Sequence, residues 1–127
     1  MKLTSKQFKK ADKLWRQAAM KLFNSTCFAC GRNGTDYSPI EVHHIIGRRN
    51  WHARLKLENS CCLCRTCHAF RHNDPNGKQW LDQLIEDRFP QWWVLIENLR
   101  HIKPHPYTQE CLELDVERLK AATNGDS

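Results

Sequence analysis

Four of the seven cysteines lie in two short turns that have the spacing of a metal site. Cys27 and Cys30 form one C-x2-C pair, and Cys64 and Cys67 form a second. Zinc is commonly held in a tetrahedron by two such pairs, and clustered cysteines in a reducing compartment favour metal over disulfides. The pattern predicts a structural zinc ion bound by these four residues.

The second pair has an alternative, because Cys61 also stands three residues before Cys64. We favour Cys67 as the partner because it leads directly into His68, which lies in a helix predicted to start near Cys64–Cys67. Cys61, Cys62 and Cys111 are then expected to be ordinary buried thiols, since free cysteine packs like a small hydrophobic side chain.

Histidines form a second group of potential ligands around these cysteines. His68 and His72 are four residues apart, so they share one face of a helix and could hold one metal ion. His43 or His44 could supply a third ligand. Adjacent strand residues point to opposite faces, so at least one of them must lie where the strand bends or ends if both serve one site.

The order V-H-H-I-I at residues 42–46, then Asn59, then L-C-x2-C-H at residues 63–68 resembles the HNH endonuclease family. The resemblance covers residues 27–72, and it is to the short stand-alone members found in bacteriophages and prophages. It implies the ββα-metal arrangement, in which two antiparallel strands, a long loop and a helix surround one catalytic ion.

The resemblance also implies a role for each matching residue. His43 and His68 would be ligands of the catalytic ion, and His72 would be a third ligand. His44 would be the general base, and Asn59 would fix the loop near that base. The implied reaction is metal-dependent hydrolysis of DNA that leaves 5′-phosphate and 3′-hydroxyl ends.

These residue types suit phosphodiester hydrolysis. An imidazole titrates near about pH 6.5 and can take a proton from water at neutral pH, and a divalent ion can act as a Lewis acid on the phosphate. The ion could be Mg²⁺, Mn²⁺, Zn²⁺ or Ni²⁺. An all-histidine set suits the last three better, because magnesium prefers oxygen ligands.

The net charge of +6 is distributed unevenly along the chain. Residues 1–22 carry seven basic side chains and one acidic one, residues 32–71 carry seven and three, and residues 72–127 carry six and ten. A basic region is typical of a protein that binds phosphates, although lysines can also form a solvated helix face. The candidate nucleic-acid contacts are Lys9, Lys10, Lys13, Arg48, Arg49 and Arg54.

The acidic last third could instead contact a protein partner. The N-terminal residues lack the apolar segment of a signal peptide, and no run is long enough to span a membrane. We therefore expect a cytoplasmic protein, which would act in the bacterial host cell if a phage encodes it, and no membrane partner.

The pattern of apolar residues predicts a mostly helical α+β fold. Helices are expected at about 4–23, 64–72, 76–88, 90–100 and 108–122, with strands at 40–46 and 59–63 and a polar loop from Gly47 to about Glu58. We expect one nuclease domain over residues 1–127, with a basic N-terminal helix in 1–26, the zinc-bound ββα-metal core in 27–72 and C-terminal helices in 73–127.

Other functions remain open to the same sequence. A non-catalytic zinc module that binds nucleic acid, or a phage packaging or interaction protein, would need the cysteines and basic residues but not the histidines. A zinc deaminase is disfavoured because its H-x-E and P-C-x-x-C signature is absent.

Overall fold

A two-stranded antiparallel hairpin followed by a helix forms the centre of the chain. The computed structural model describes residues 3–103 and 105–124. Strands β1 (Ile40–His44) and β2 (Ser60–Cys64) pair with Ile40 opposite Cys64 and His44 opposite Ser60. Helix α3 (Arg65–Asn73) follows β2 without a connecting residue. This is the strand, loop, strand and helix order that the sequence predicts.

The other helices surround this centre, and their bounds agree with the predicted ones to within a few residues. Helix α1 covers Ser5–Leu22, and a short helix α2 covers Trp51–Arg54 between the strands. After α3 come three further helices, α4 (Gly77–Arg88), α5 (Pro90–Arg100) and α6 (Gln109–Asn124). The predicted fold class, mostly helical α+β with a central ββα unit, is confirmed.

Local sequence explains where the helices begin. Thr4 and Gln7 form a capping box at the start of α1, in which each side chain binds the backbone of the other residue. Pro90 occupies the first turn of α5, where its missing N–H costs nothing. Thr108 precedes α6, and its hydroxyl accepts a hydrogen bond from the Cys111 N–H at 3.3 Å.

Strand β2 is buried along its whole length because both of its faces are covered. Cys61 and Leu63 belong to a core shared with α4 and α5, which includes Leu81, Ile85 and Ile96. The intervening Cys62 faces α1, with its Sγ 3.6 Å from the Ala19 carbonyl oxygen. The hairpin is therefore held between the N-terminal helix and the C-terminal helices.

Helix α1 contributes a second core through its apolar stripe. Phe8, Ala11, Trp15 and Ala18 are buried with Leu55 and with residues of α6. The helical spacing of the apolar residues predicts that Leu22 belongs to the same stripe, and that prediction is wrong, because 49% of Leu22 is exposed at the last residue of the helix.

The prediction of an irregular loop from Gly47 to Glu58 is also wrong in part. This segment contains α2 and a 3₁₀ turn over Leu57–Asn59. Asn50 starts α2 by accepting a hydrogen bond from the Ala53 N–H at 3.1 Å, and its amide nitrogen donates to the Leu99 carbonyl oxygen at 3.2 Å. One asparagine thus caps the short helix and ties it to α5.

None of the helices in the described part of the chain combines the length and the apolar character that crossing a membrane requires.

Gly77 allows α3 and α4 to approach closely. A Cβ at this position would lie 2.5 Å from the Arg71 carbonyl oxygen and would also overlap the Phe70 carbonyl oxygen. Both atoms belong to the backbone of α3 and cannot move aside as a side chain could. The tight turn between these helices therefore requires glycine.

We predict that Gly77→Ala lowers the free energy of unfolding by about 1–3 kcal/mol or more, the usual cost of overpacking. Gly47→Ala is the matched control, because a Cβ at Gly47 meets no atom within 4 Å. Urea unfolding of the two variants and the parent measures the difference. Equal stability of the two variants would contradict this account of the α3–α4 turn.

Candidate metal centre and active site

The first cysteine pair lies in a tight turn at the start of the HNH-like segment. The Gly31 N–H donates to the Cys27 carbonyl oxygen at 2.8 Å, and Gly31 has a φ of +77°, which glycine adopts without strain. The Cys30 N–H lies 3.5 Å from the Cys27 Sγ. The Phe28 N–H donates to the Cys62 carbonyl oxygen at 2.8 Å, so this turn is fastened to β2.

The second pair lies where β2 becomes α3. Cys64 is both the last residue of the strand and the N-cap of the helix, and its Sγ is 3.5 Å from the Cys67 N–H. The four sulfur atoms of Cys27, Cys30, Cys64 and Cys67 all lie within 4.8 Å of one another. Cys61, the alternative partner, does not belong to this cluster.

The geometry of the sulfur atoms fits a tetrahedral zinc ion. The Sγ atoms of Cys30 and Cys64 are 3.8 Å apart, and Zn–S bonds of about 2.3 Å in a tetrahedron put the sulfurs roughly 3.8 Å apart. Burial raises the pKa of the Cys27 thiol, but hydrogen bonds from the backbone at Cys30, Cys64 and Ala29 outweigh it, so the pKa falls to about 7. The thiolate, which is the form that binds metal, is thereby favoured.

The remaining cysteines are separate from this cluster. Burial raises the pKa of the Cys61 thiol, and it raises the pKa of Cys62 to about 12. Both are buried, as the sequence predicts for thiols that act as small hydrophobic side chains. Cys111, which was expected to be buried as well, is only partly covered on α6.

Three of the predicted histidines form a second cluster on one side of the hairpin. The Nε2 of His68 lies 3.2 Å from the Nδ1 of His43 and 3.1 Å from the Nε2 of His72. All three rings offer a nitrogen within 4.8 Å of the others. Metal–nitrogen bonds of about 2.0–2.1 Å in a tetrahedron separate the nitrogens by roughly 3.3 Å, so the spacing fits one ion.

The environment of His43 keeps its imidazole neutral. The ring is buried, and burial lowers its pKa to about 3, with the positive charge of Arg71 as a smaller cause. Its Nε2 is buried and makes no hydrogen bond within the described residues, so the polar contact that the ring makes is the one to His68. A neutral imidazole is the form that a metal ligand requires.

Glu41 supports the cluster from the same strand. It precedes His43 by two residues and therefore lies on the same face of β1. Its Oε1 is 3.2 Å from the Nδ1 of His68, the nitrogen that points away from the other histidines. A carboxylate on the outer nitrogen fixes the orientation of a ligating imidazole and increases its basicity.

His44 points to the other face of β1, as strand alternation requires. Its ring stacks on Trp15 of α1, with centroids 3.8 Å apart and an interplanar angle of 7°. Its Nε2 lies 3.1 Å from the Arg54 carbonyl oxygen. Because a carbonyl oxygen only accepts hydrogen bonds, Nε2 carries the proton and Nδ1 keeps its lone pair in the neutral ring. Burial lowers the pKa of His44 to about 4, which favours that neutral ring.

The two histidines nevertheless serve one cavity, because His44 is the last residue of β1. A cavity of 320 Å³ at this strand end, called here the histidine cavity, is lined by Arg16, Val42, His43, His44, Gly47, Arg48, His68 and His72. Strand alternation requires one of the two adjacent histidines to lie where the strand bends or ends, and His44 is at the strand end.

Asn59 holds the segment that positions His44. The side chain is fully buried, its Oδ1 accepts from the Ile46 N–H at 2.6 Å, and its Nδ2 donates to the carbonyl oxygens of Ile46 and Ala53 at 3.1 Å each. One amide thus joins the chain after β1 to α2. The Arg54 carbonyl that receives the His44 hydrogen bond follows Ala53 directly.

The candidate nucleic-acid contacts occupy different environments. Lys9, Lys10 and Lys13 are exposed on α1, Arg48 is exposed at the histidine cavity, and Arg49, the next residue, is also exposed. Arg54 is instead engaged within the protein: its Nε and Nη2 donate to the Asp12 carboxylate at 3.1 and 2.7 Å. That pairing neutralises its charge, so a phosphate would have to compete with Asp12 for Arg54. A phosphate contact by Arg54 stays a prediction.

Two contributors were not among the site residues predicted from sequence. Arg16 lines the histidine cavity from α1, and Trp15 stacks on His44. Both lie on a helix more than twenty residues before the paired histidines, so no local motif includes them. The sequence signal that identifies Arg16 is its spacing from Lys9. The two residues are seven apart, or two helical turns, and so share one face of α1.

Comparison with known proteins agrees with this geometry. Residues 27–74 match the model of the HNH endonuclease family, which confirms the resemblance found in the sequence. No curated protein and no solved structure matches the chain. The match spans both cysteine pairs, the hairpin and α3, and it leaves α1 and the C-terminal helices outside.

We predict that Cys27→Ser removes one equivalent of bound zinc and strongly destabilises the fold, because zinc binding and folding are coupled in such sites. Cys111→Ser, outside the cluster, is the matched control and should keep both zinc content and melting temperature. Elemental analysis and thermal unfolding measure the two effects. Full zinc content in the Cys27 variant would refute the four-cysteine assignment.

Proposed function

We propose that this protein is a metal-dependent endonuclease that hydrolyses phosphodiester bonds in DNA, since residues 27–74 match the model of the HNH endonuclease family. The observation that carries the proposal is the histidine cavity. It combines a cluster of three imidazoles with a fourth imidazole, His44, whose Nδ1 keeps its lone pair.

We propose that His43, His68 and His72 hold the catalytic ion. When bound, a divalent ion supplies Lewis-acid stabilisation of the phosphate and of the leaving 3′-oxygen. Glu41 keeps His68 oriented for this task through the contact at its Nδ1. The all-nitrogen donor set suits Zn²⁺, Mn²⁺ or Ni²⁺ better than Mg²⁺, and the four-cysteine site would hold a separate structural Zn²⁺.

His44 acts in this proposal as the general base. Its Nδ1 accepts a proton from the attacking water, while the Arg54 carbonyl accepts the hydrogen bond from Nε2 and stabilises the imidazolium that forms. Stacking on Trp15 and the Asn59 hydrogen bonds hold the ring and the carbonyl in place. Attack on the phosphorus with loss of the 3′-oxygen leaves 5′-phosphate and 3′-hydroxyl ends.

The basic residues position the nucleic acid in this proposal. Arg48 lies at the histidine cavity itself, and the exposed Lys9, Lys10 and Lys13 extend a positive surface along α1. Contacts of this kind go to phosphates, which fix the position of a strand without reading its sequence. We therefore propose cleavage with weak sequence preference.

We also propose a setting for this activity. The resemblance to short stand-alone phage and prophage nucleases implies action in the cytoplasm of a bacterial host. Residues 72–127 carry ten acidic and six basic side chains, so this part of the chain is the surface that we propose for a protein partner.

We predict that His44→Gln lowers the cleavage rate by about 10²–10⁴-fold, the usual contribution of a general base. Glutamine can still donate a hydrogen bond to the Arg54 carbonyl but cannot accept the proton from water. His101→Gln is the matched control, because that side chain is 79% exposed directly after α5 and does not line the histidine cavity. Cleavage of labelled DNA with Mn²⁺, Zn²⁺, Ni²⁺ or Mg²⁺ measures the rates.

Melting temperature and zinc content of both variants separate a chemical effect from unfolding. Cleavage by His44→Gln at the parent rate would contradict the proposed base. A parent protein that binds nucleic acid but cleaves none with any of these ions would support the non-catalytic alternative.

A further inference from the structure

A second and larger cavity, called here the Trp51 cavity, opens between α1 and α2. It has a volume of 640 Å³, within the range of about 300–1,000 Å³ typical of ligand sites. Trp51 and Phe8 contribute aromatic walls, and Lys9, Arg16, Arg54 and Asp12 contribute charged ones.

This cavity is joined to the histidine cavity by two residues. Arg16 lines both of them. Arg54 contributes to both cavities. Its backbone carbonyl oxygen accepts the hydrogen bond from His44, and its side chain lines the Trp51 cavity. The two cavities are therefore adjacent, and a strand with its scissile phosphate at His44 would have the Trp51 cavity next to it.

The charges of the Trp51 cavity favour a phosphate-bearing ligand. Three basic side chains and one acidic side chain line it. The acidic one, Asp12, is occupied by a bidentate pair with Arg54. Lys9 and Arg16 therefore give the wall a net positive charge that an anionic backbone would balance.

The aromatic wall favours a planar ligand. Trp51 leaves 43% of its surface exposed although its ring packs on Phe8, with centroids 4.6 Å apart. The Arg54 guanidinium lies 4.9 Å from the Trp51 ring centroid, so it backs the same platform. Exposed indole beside lysine and arginine is the combination on which unpaired bases stack.

A base inside a duplex cannot use this platform, because both of its faces are covered by neighbouring base pairs. Only a nucleotide that is single-stranded or extruded from the stack can put its face on an aromatic side chain. The concave shape and the mixed aromatic and basic lining thus fit an unpaired nucleotide and not the surface of a regular duplex.

We propose that the Trp51 cavity binds an unpaired nucleotide of the substrate, with its base on Trp51 and adjacent phosphates at Lys9 and Arg16. This inference rests on the proposed function and specifies it: the substrate is single-stranded, or has a junction between duplex and single strand. The chemistry is shared by DNA and RNA, and both are tested.

The test is binding of labelled oligonucleotides, measured by fluorescence anisotropy without added divalent ions. The probes are one single-stranded DNA, its blunt duplex, the duplex with a single-stranded overhang, and the RNA of the same sequence. Trp51→Leu keeps an apolar side chain but removes the ring, Trp51→Phe keeps a smaller ring, and Trp92→Leu is the matched control. Trp92 is a half-buried tryptophan that packs on Phe23 and Phe89, outside both cavities.

We expect the parent to prefer the single strand and the overhang over the blunt duplex. Trp51→Leu should weaken binding of these two probes by about 5- to 150-fold, the range for losing one stacked base, and Trp51→Phe should recover part of the loss. Duplex affinity and the behaviour of Trp92→Leu should stay at the parent level. Equal losses on all probes, or no loss on any, would overturn the proposal.

A second measurement needs no variant and so does not depend on whether Trp51→Leu folds. Abasic sites are moved one position at a time along the overhang of the duplex probe, where the junction with the duplex fixes the register of binding, and affinity for the parent protein is measured at each. One position should show a loss of similar size, and a uniform profile would overturn the proposal. Since binding is measured without catalysis, a failure of cleavage with this profile intact would count against the nuclease and not against the cavity.

Discussion

The rest of the structure depends on one constraint, which is that the sulfur atoms of Cys27, Cys30, Cys64 and Cys67 lie together. Cys64 ends β2, caps α3 and belongs to the sulfur cluster. The turn that carries Cys27 and Cys30 is fastened to β2 by the Phe28 hydrogen bond. A zinc ion at this point would fix the direction in which α3 leaves the hairpin. That direction decides whether His68 and His72 reach His43.

The buried amide of Asn59 fixes the other end of the hairpin, where His44 pairs with Ser60. Its three hydrogen bonds join the end of β1 to α2 and so set the position of the Arg54 carbonyl. That carbonyl selects the His44 tautomer whose Nδ1 is free to accept a proton. The histidine cluster and the proposed base thus lie on different faces of β1, each held by its own anchor, and they share a cavity because His44 is the last residue of the strand.

The sequence predicted the parts of this site that are local. C-x2-C spacing, the four-residue interval of His68 and His72, and the paired histidines each depend on a few neighbouring residues, and the structure brings the expected partners together. The roles assigned to these residues stay predictions. The periodicity of α1 likewise predicted its buried face, apart from Leu22 at the helix end.

What the sequence could not supply depends on contacts between distant segments. The sequence predicts that Arg54 is a cation for phosphate, because nothing near it in the chain indicates that Asp12, 42 residues earlier, forms a bidentate pair with it. Glu41 contacts His68, which lies 27 residues later on another element, and no local pattern indicates that pairing. The stacking of His44 on Trp15 and the shared wall formed by Arg16 likewise arise only when α1 packs on the hairpin.

The central proposal is that this protein holds two separate metal ions, one among four sulfurs and one among three imidazoles. Anomalous X-ray diffraction from crystals of the zinc-loaded protein soaked in Mn²⁺ tests it most directly, because data at the two absorption edges locate each element. The account predicts a zinc peak among Cys27, Cys30, Cys64 and Cys67 and a manganese peak within bonding distance of His43, His68 and His72. A crystal at saturating Mn²⁺ with no anomalous peak between those three rings would contradict it.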